Sequence, residues 1–405
     1  MKIVSSSHAH RSTFEISIII PTFNKFPQVL FTLFSLEKQN FDLSRVEVIL
    51  IDDGSTDSTG IIPDHYLFPF ELKYIKCDKN IGRPAARNVG IRNAQGKILI
   101  FLDAEIIVSP EFLNIHYTHH QENQNLVVTG VMTIKALYSV LFPDFSTNQL
   151  NQAALLIKNL PEYKTKYEVF QKQHAKTFLL DRIDIHSGKY IGLAHTTPYE
   201  KFYRNVIISN YGFDLQGYRI PWQLFGTGHV SVPKWMINQV GLFKEYSGYG
   251  WDDCEMGYRL YKNGATFISD ENLLSYHQEH PVSAGNDNQS KQNYYTFQEA
   301  YKEIDQMIIS LTFLPAPKNL HEVNQILINY QTMCSEFPTQ FPMIEHVFKE
   351  MLRNIGMKSK NNADFSNLYS ATLTETEALS KEKMFLRKLN RYHLFLDCFE
   401  YLEKL

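Results

Sequence analysis

Four short, largely apolar runs, each followed by a stretch that suits a helix, constrain this chain more than any other feature. They are Ile16–Ile20, Val46–Ile51, Leu72–Ile75 and Ile98–Leu102. Continuous apolar runs of this length mark strands buried on both faces. Between them, Pro27–Gln39 sets Val29, Leu30, Leu33, Phe34 and Leu36 on one helical face. Asp57 or Ser58 is placed to cap a second helix, Pro84–Ala94 reads as a third, and Ser109-Pro110 opens a fourth with Ser as N-cap. Strand and helix alternating in this way predict an α/β fold, a mostly parallel central sheet with helices on both faces. Ligands of such sheets lie outside the carboxyl ends of the strands. Three of those ends are polar: Pro21-Thr22-Phe23-Asn24, Asp52-Asp53-Gly54-Ser55 and Leu102-Asp103-Ala104-Glu105. Carboxylates from distant segments are therefore expected along one edge.

The pattern changes further along. Residues 133–205 read as an insertion, helical over Leu150–Phe178, and residues 206–280 return to mixed α/β. From 286 onward the chain is helical in pattern, with a polar joint at Lys358–Asp364. The expected division is 1–285 for the α/β domain and 286–405 for a helical accessory region, one able to mediate a homo-oligomer. With 40 Lys+Arg against 43 Asp+Glu, the chain lacks the basic footprint of a nucleic-acid binder. Aromatic residues make up 13 %, and most are assigned to the core. Cys77, Cys254, Cys334 and Cys398 form no C-x-x-C pair and are expected to be reduced thiols. The longest apolar stretch, Ile98–Val108, is broken by Asp103 and Glu105 and falls short of the ~20 residues of a membrane span. The N-terminus lacks the apolar run of a signal peptide. A cytoplasmic protein follows as the expectation, with peripheral membrane contact left open. No G-x-G-x-x-G, P-loop, H-E-x-x-H or G-x-S-x-G is present.

Five segments fit one known pattern in one order: SIIIPTFNK (17–25), VILIDDGSTDST (48–59), NIGRPAARNVGI (80–91), IFLDAE (100–105) and GYGWDDCEMGYRL (248–260). Together they resemble the inverting family-two glycosyltransferases of the GT-A fold, over about 15–132 and 206–280. The resemblance implies a UDP-sugar donor and transfer to an acceptor hydroxyl on a polysaccharide, a lipid-linked glycan or a peptide side chain. It places Asp53 as acceptor of a hydrogen bond from the pyrimidine, a role that suits an acceptor-only carboxylate. Pro21, Thr22 and Asn24 flank the nucleoside on the other side. Arg83 and Arg87, four apart on one helical face, are the basic residues expected near the uracil or phosphates. Asn88 is open to a structural helix-to-loop contact instead.

Asp103-Ala104-Glu105 stands where the family has Asp-x-Asp, the motif that holds Mn²⁺ or Mg²⁺ under the diphosphate; here the second acid is Glu. Hard cations favour such oxygen ligands. His277 is the expected third ligand and His280 its runner-up. Asp252-Asp253 replaces the usual Glu-Asp pair, so the general base falls on Asp253, with Asp252 orienting the acceptor or opening the helix. The alternative for both is a pair of helix N-terminal acids complementing the dipole. Trp251, Tyr249 and Trp222 are candidates for stacking on sugar faces, packing being the alternative for each. His116, His119 and His120 read as a solvated helix face. Two other readings compete: a non-catalytic nucleotide-sugar-binding protein of the same fold, which the changes at Glu105 and Asp252 motivate, and a nucleotidyltransferase, which lacks its Gly-rich triphosphate stretch here.

Overall fold

The computed structural model describes residues 2–5, 14–281 and 286–405. Its strands, in chain order, are β1 (Lys2–Ser5), β2 (Ile16–Thr22), β3 (Val46–Asp52), β4 (Glu71–Lys76), β5 (Ile98–Leu102), β6 (Ile106–Val108), β7 (Leu126–Thr129), β8 (Ile134–Leu137), β9 (Val140–Leu141), β10 (Thr177–Phe178), β11 (Ala194–His195), β12 (His229–Pro233), β13 (Thr266–Ile268) and β14 (Ser275–Gln278). The main sheet has the order β1-β4-β3-β2-β5-β12-β7-β13. The four strands read from the sequence, β2 to β5, are mutually parallel. The flanks are mixed, because β12 runs antiparallel to both β5 and β7.

Both faces of the parallel core are covered, as the uninterrupted apolar runs require. Ile18, Ile20, Val48, Leu50 and Ile100 share one buried cluster with Val29, Leu33, Phe34 and Leu36 of the helix Gln28–Leu36. Ile19 and Ile51 face the other way, against the helix Arg83–Asn93. At Gly90 of that helix an added Cβ falls 2.4 Å from Ile19 Cγ2 and 3.0 Å from Ile51 Cδ1. Glu47 is fully buried in β3, accepting from the Ser17 hydroxyl at 2.5 Å and lying 3.7 Å from Lys73 Nζ. A carboxylate without such partners is not sustained at that depth.

A second sheet has the order β11-β8-β14-β6, and its strand β6 begins right after Glu105. β14 pairs antiparallel with β6 and parallel with β8. The two longest helices of the expected insertion are Thr147–Ile157 and Pro161–Gln173. Ser146 caps the first through a capping box with Gln149. One cap is corrected: the helix assigned to Ser109-Pro110 starts at Phe112, and Ser109 makes no capping bond. The expected joint at Lys358–Asp364 is helical as far as Lys360.

The chain divides into two compact units. The first comprises Met1–Arg204, Trp222–Glu245 and Asp252–Ala284; the second comprises Asn205–Pro221, Tyr246–Trp251 and Gly285–Leu405. The second unit is built on helices including Asn286–Tyr301, Leu320–Glu336, Pro342–Lys360, Leu373–Leu389 and His393–Glu403. Its interior includes Tyr294, Phe297, Leu327, Phe348, Met351 and Phe395. Its two earlier segments are tied in by side chains: Asn324 donates to Tyr211 at 2.9 Å, and Asn293 donates to the carbonyls of Ser247, Tyr249 and Gly250 at 3.0–3.1 Å. No described helix is long and apolar enough to cross a membrane.

Gly90→Ala overpacks the helix against β2 and β3. It is expected to cost about 1–3 kcal/mol in denaturant unfolding of the full chain.

Candidate active site

The strand ends form the site. Asp53 follows β3 and is 3 % exposed, so it is not a solvated turn residue. Its Oδ1 accepts from the Ile81 amide at 2.7 Å and its Oδ2 from the Gly82 amide at 3.0 Å. Burial pushes its carboxyl up, and these two amide bonds act in the opposite direction. Gly54 has φ +80° and no room for a Cβ, which would lie 2.8 Å from the Asn80 nitrogen. Thr22, ending β2, is buried with an unpartnered hydroxyl, beside the buried Pro21. Asn24 lies just past the end of β2. Its carboxamide oxygen accepts from the Thr56 amide at 2.8 Å, and its own amide donates to Ser55 at 2.9 Å, so it ties the β2 end to the β3 end. Arg83 is the first residue of its helix and is exposed.

Arg87 sits elsewhere than expected. It is 2 % exposed and makes its contacts with carboxylates: Nη1 to Asp252 at 3.0 Å and to Asp253 at 3.3 Å, and Nη2 to Asp103 at 3.2 Å. Burial works against its charge, and Asp253, Asp103 and Asp252 outweigh burial and keep it protonated. It draws the three acids together. Asp253 accepts from the Thr227 hydroxyl at 2.8 Å and from the Thr227 amide at 3.2 Å. Burial and then the neighbouring Asp252 push its carboxyl up to about 7, against the pull of Arg87. Asp252 and Asp253 open the helix Asp252–Lys262. The helix lies tight on the turn Pro221–Leu224: a Cβ at Gly257 falls 2.6 Å from the Trp222 carbonyl oxygen.

A second acidic centre lies two residues past Asp103. Single ligand atoms of Glu105, His277 and His280 lie within 4.8 Å of one another. The register explains it. His277 pairs with Ile106, and the Gln278 amide donates to the Glu105 carbonyl at 2.8 Å, so β14 carries His277, and His280 just beyond its end, to Glu105. His277 lies inside β14 rather than at its end. Lys25 Nζ is 2.8 Å from Glu105 and His280 Nε2 is 3.4 Å from it. Burial alone raises the Glu105 carboxyl, but His280, Lys25 and His277 outweigh it and hold it well below the usual range. His280 thus stands beside His277 at Glu105, while Asp103 of the expected ligand set is engaged by Arg87.

Two aromatic assignments change. Trp222 is fully buried and packs edge-on to Tyr258 at 5.3 Å, so it presents no face to a sugar. Trp251 belongs to the helical unit, where its indole donates to Ser290 at 3.1 Å and packs on Tyr294 at 4.7 Å and Phe297 at 6.0 Å. Tyr249, in the same unit, is 42 % exposed. The histidine face is not solvated. His116 is fully buried with Nε2 3.0 Å from His229 Nε2, and His120 is 4 % exposed with Nε2 2.7 Å from the Ser231 hydroxyl. Only His119 stays half-buried, 3.0 Å from Asp270. β12 supplies His229 and Ser231 from a hundred residues away, which no helical periodicity reveals. Asn88 is structural, bonded to Phe243 and Glu245. Thr227 and Lys25 were missed; a turn threonine and a loop lysine carry no signal of their own.

Residues 17–172 match the glycosyl transferase family 2 profile. The uncharacterized glycosyltransferase YfnE of Bacillus subtilis is 30 % identical over 340 residues, covering 83 % of this chain and 82 % of YfnE. The chain belongs to glycosyl transferase family 2. The Pasteurella multocida hyaluronan synthase is 29 % identical over 268 residues, 66 % of this chain but 25 % of the synthase, so this transferase spans about a quarter of that relative's length. Among solved structures, Staphylococcus aureus TarS 1–349 in complex with UDP is similar over 96 % of this chain and 90 % of its own, at 16 % identity and a TM-score of 0.47.

Arg87→Met leaves Asp103, Asp252 and Asp253 without their shared cation. A loss of about 3–5 kcal/mol is expected in chemical denaturation. Asp253, whose carboxyl burial and Asp252 already raise, then loses the opposing pull of Arg87, so the deficit grows as pH rises and is larger at pH 8 than at pH 5.

Proposed function

We propose that this family 2 transferase moves a sugar from a UDP-sugar to an acceptor hydroxyl by single displacement with inversion, with Asp253 as general base. The observation that carries the reading is Asp253 itself. It stands at a helix start, held by Thr227 and Arg87, with a carboxyl raised to about 7. A base is most effective when its pKa lies near working pH. Asp253 takes the proton from the acceptor hydroxyl as that oxygen attacks the anomeric carbon, and the UDP leaves. Arg87 fixes the direction of the carboxylate through Asp252 and Asp103. Asp53, Thr22 and Arg83 serve the nucleotide.

The residues present fit a divalent cation. Glu105, His277 and His280 offer one carboxylate and two imidazoles, a set that suits Mn²⁺ better than the oxygen-preferring Mg²⁺. When bound, such a cation neutralises charge on the departing diphosphate. Lys25 stands beside Glu105 and adds a fixed positive charge on the same side. The names of relatives, hyaluronan and chondroitin synthases and a poly(ribitol-phosphate) β-N-acetylglucosaminyltransferase, support a glycan or polyol acceptor. The helical unit is assigned an accessory role.

A panel of UDP-sugars with Mn²⁺ or Mg²⁺, read by UDP release, tests the reading and names the donor. Release above background also disposes of a non-catalytic binder. Asp253→Asn is expected to lower turnover about 10²–10⁴-fold while sparing UDP affinity. The wild-type kcat/KM should rise with pH through about 7, since the base must be ionised. A variant that retains wild-type turnover overturns the base assignment. His277→Ala and His280→Ala are each expected to weaken Mn²⁺ binding by at least about tenfold in calorimetry. Unchanged binding in both excludes the cluster.

A further inference from the structure

The first unit contains a cavity of about 440 Å³ at the other end of β5 from Asp103. It is bounded by Gln95–Ile98, by the end of β12 at Pro233 and the helix Lys234–Val240 that follows, and by the end of the helix Phe112–Glu122. β5 is five residues long, so roughly 17 Å of strand separates the cavity from the catalytic edge. We propose that this cavity is a second binding site, for a neutral saccharide of one or two units.

The lining chemistry supports that ligand class. Gln95, Gln121, Gln124 and Asn238 surround the opening with exposed carboxamides that make no hydrogen bond among the described residues. Each offers both donors and an acceptor, matching hydroxyls that also do both. Trp235 is 45 % exposed and supplies a flat apolar face for the C–H side of a sugar ring. An aromatic wall with a few polar groups is the usual form of a small-ligand pocket, and this volume falls in the usual range. His120 lines the cavity, is 4 % exposed, and has Nδ1 unpartnered while Nε2 lies against Ser231.

Charge argues against an anion. Lys97 Nζ is paired with Glu15 at 2.8 Å, and Lys234 Nζ donates to the Ala94 carbonyl at 2.6 Å. Burial keeps His120 neutral, with its pKa down at about 4. No lining cation is left uncommitted among the described residues, and Glu15 adds a negative charge.

The site is tested by titrating the full chain with cellobiose, lactose and N,N′-diacetylchitobiose, with inorganic phosphate as a separate arm. Binding is read by tryptophan fluorescence and calorimetry, with and without saturating UDP. At least one disaccharide is expected to bind saturably and without competition from UDP. Trp235→Ala should weaken it by about tenfold, the cost of losing an aromatic anchor. Gln121→Ala with Gln124→Ala should weaken it too, and UDP affinity should be unchanged in both variants. Binding of phosphate alone, competition by UDP, unaltered saccharide affinity in Trp235→Ala, or no binding from the panel each overturns the proposal. Because the assay reads binding without turnover, its failure leaves the transferase reading standing, and a failed transferase reading leaves this site standing.

Discussion

The guanidinium of Arg87 is the point on which the site depends. It is buried to 2 % exposure and touches carboxylates from two distant parts of the chain, Asp103 at the end of β5 and Asp252 with Asp253 at a helix start. Taking an arginine out of water is costly, and it is sustained only with good geometry and opposite charge around it. Three acids against one cation leave the cluster negative, and at Asp253 burial first and then the neighbouring Asp252 raise the carboxyl. The same arrangement that buries the arginine therefore brings Asp253 to the raised carboxyl on which the proposed base role rests. Thr227 completes it by holding both oxygens of Asp253.

The Asp103-Ala104-Glu105 turn separates two electrostatic centres. Asp103 goes to Arg87, while Glu105 goes to Lys25, to His277 of β14 and to His280 just beyond it. Between them the Ala104 carbonyl accepts from Thr32 at 2.8 Å, which pins the turn to the helix Gln28–Leu36. Gln278 donates to the Gln28 carbonyl at 2.9 Å, so β14 is anchored to the same helix. The position of the candidate metal ligands thus rests on buried neutral hydrogen bonds rather than on the acids themselves.

The insertion supports this side of the site. Gln149 caps its own helix and also donates to Glu279 at 3.2 Å and to the His280 carbonyl at 3.0 Å. Arg182 meets Glu37 through two bonds, 2.9 and 2.7 Å, at the end of the helix Gln28–Leu36. Both contacts run from the insertion to elements that hold Glu105, His277 and His280 in register.

Much of the fold was legible in the sequence, because strands buried on both faces must be apolar throughout and cannot hide. Ile98–Leu102 was read to the residue, and β2, β3 and β4 to within a residue or two. The polar strand ends were legible for the same reason, since a motif such as Asp52-Asp53-Gly54 stands out against an apolar run. What each acid does was not. Whether Asp103 meets a metal or Arg87, whether Trp222 faces a ligand or the core, and whether His116 and His120 meet water or His229 and Ser231 depend on tertiary partners, those of the two histidines lying more than a hundred residues away. The sequence by itself determined the sheet, its carboxyl edge and the family. Only the tertiary structure decided which charge faces which, because a buried ion pair is set by the crossing of strands and helices and leaves no periodic trace in the chain.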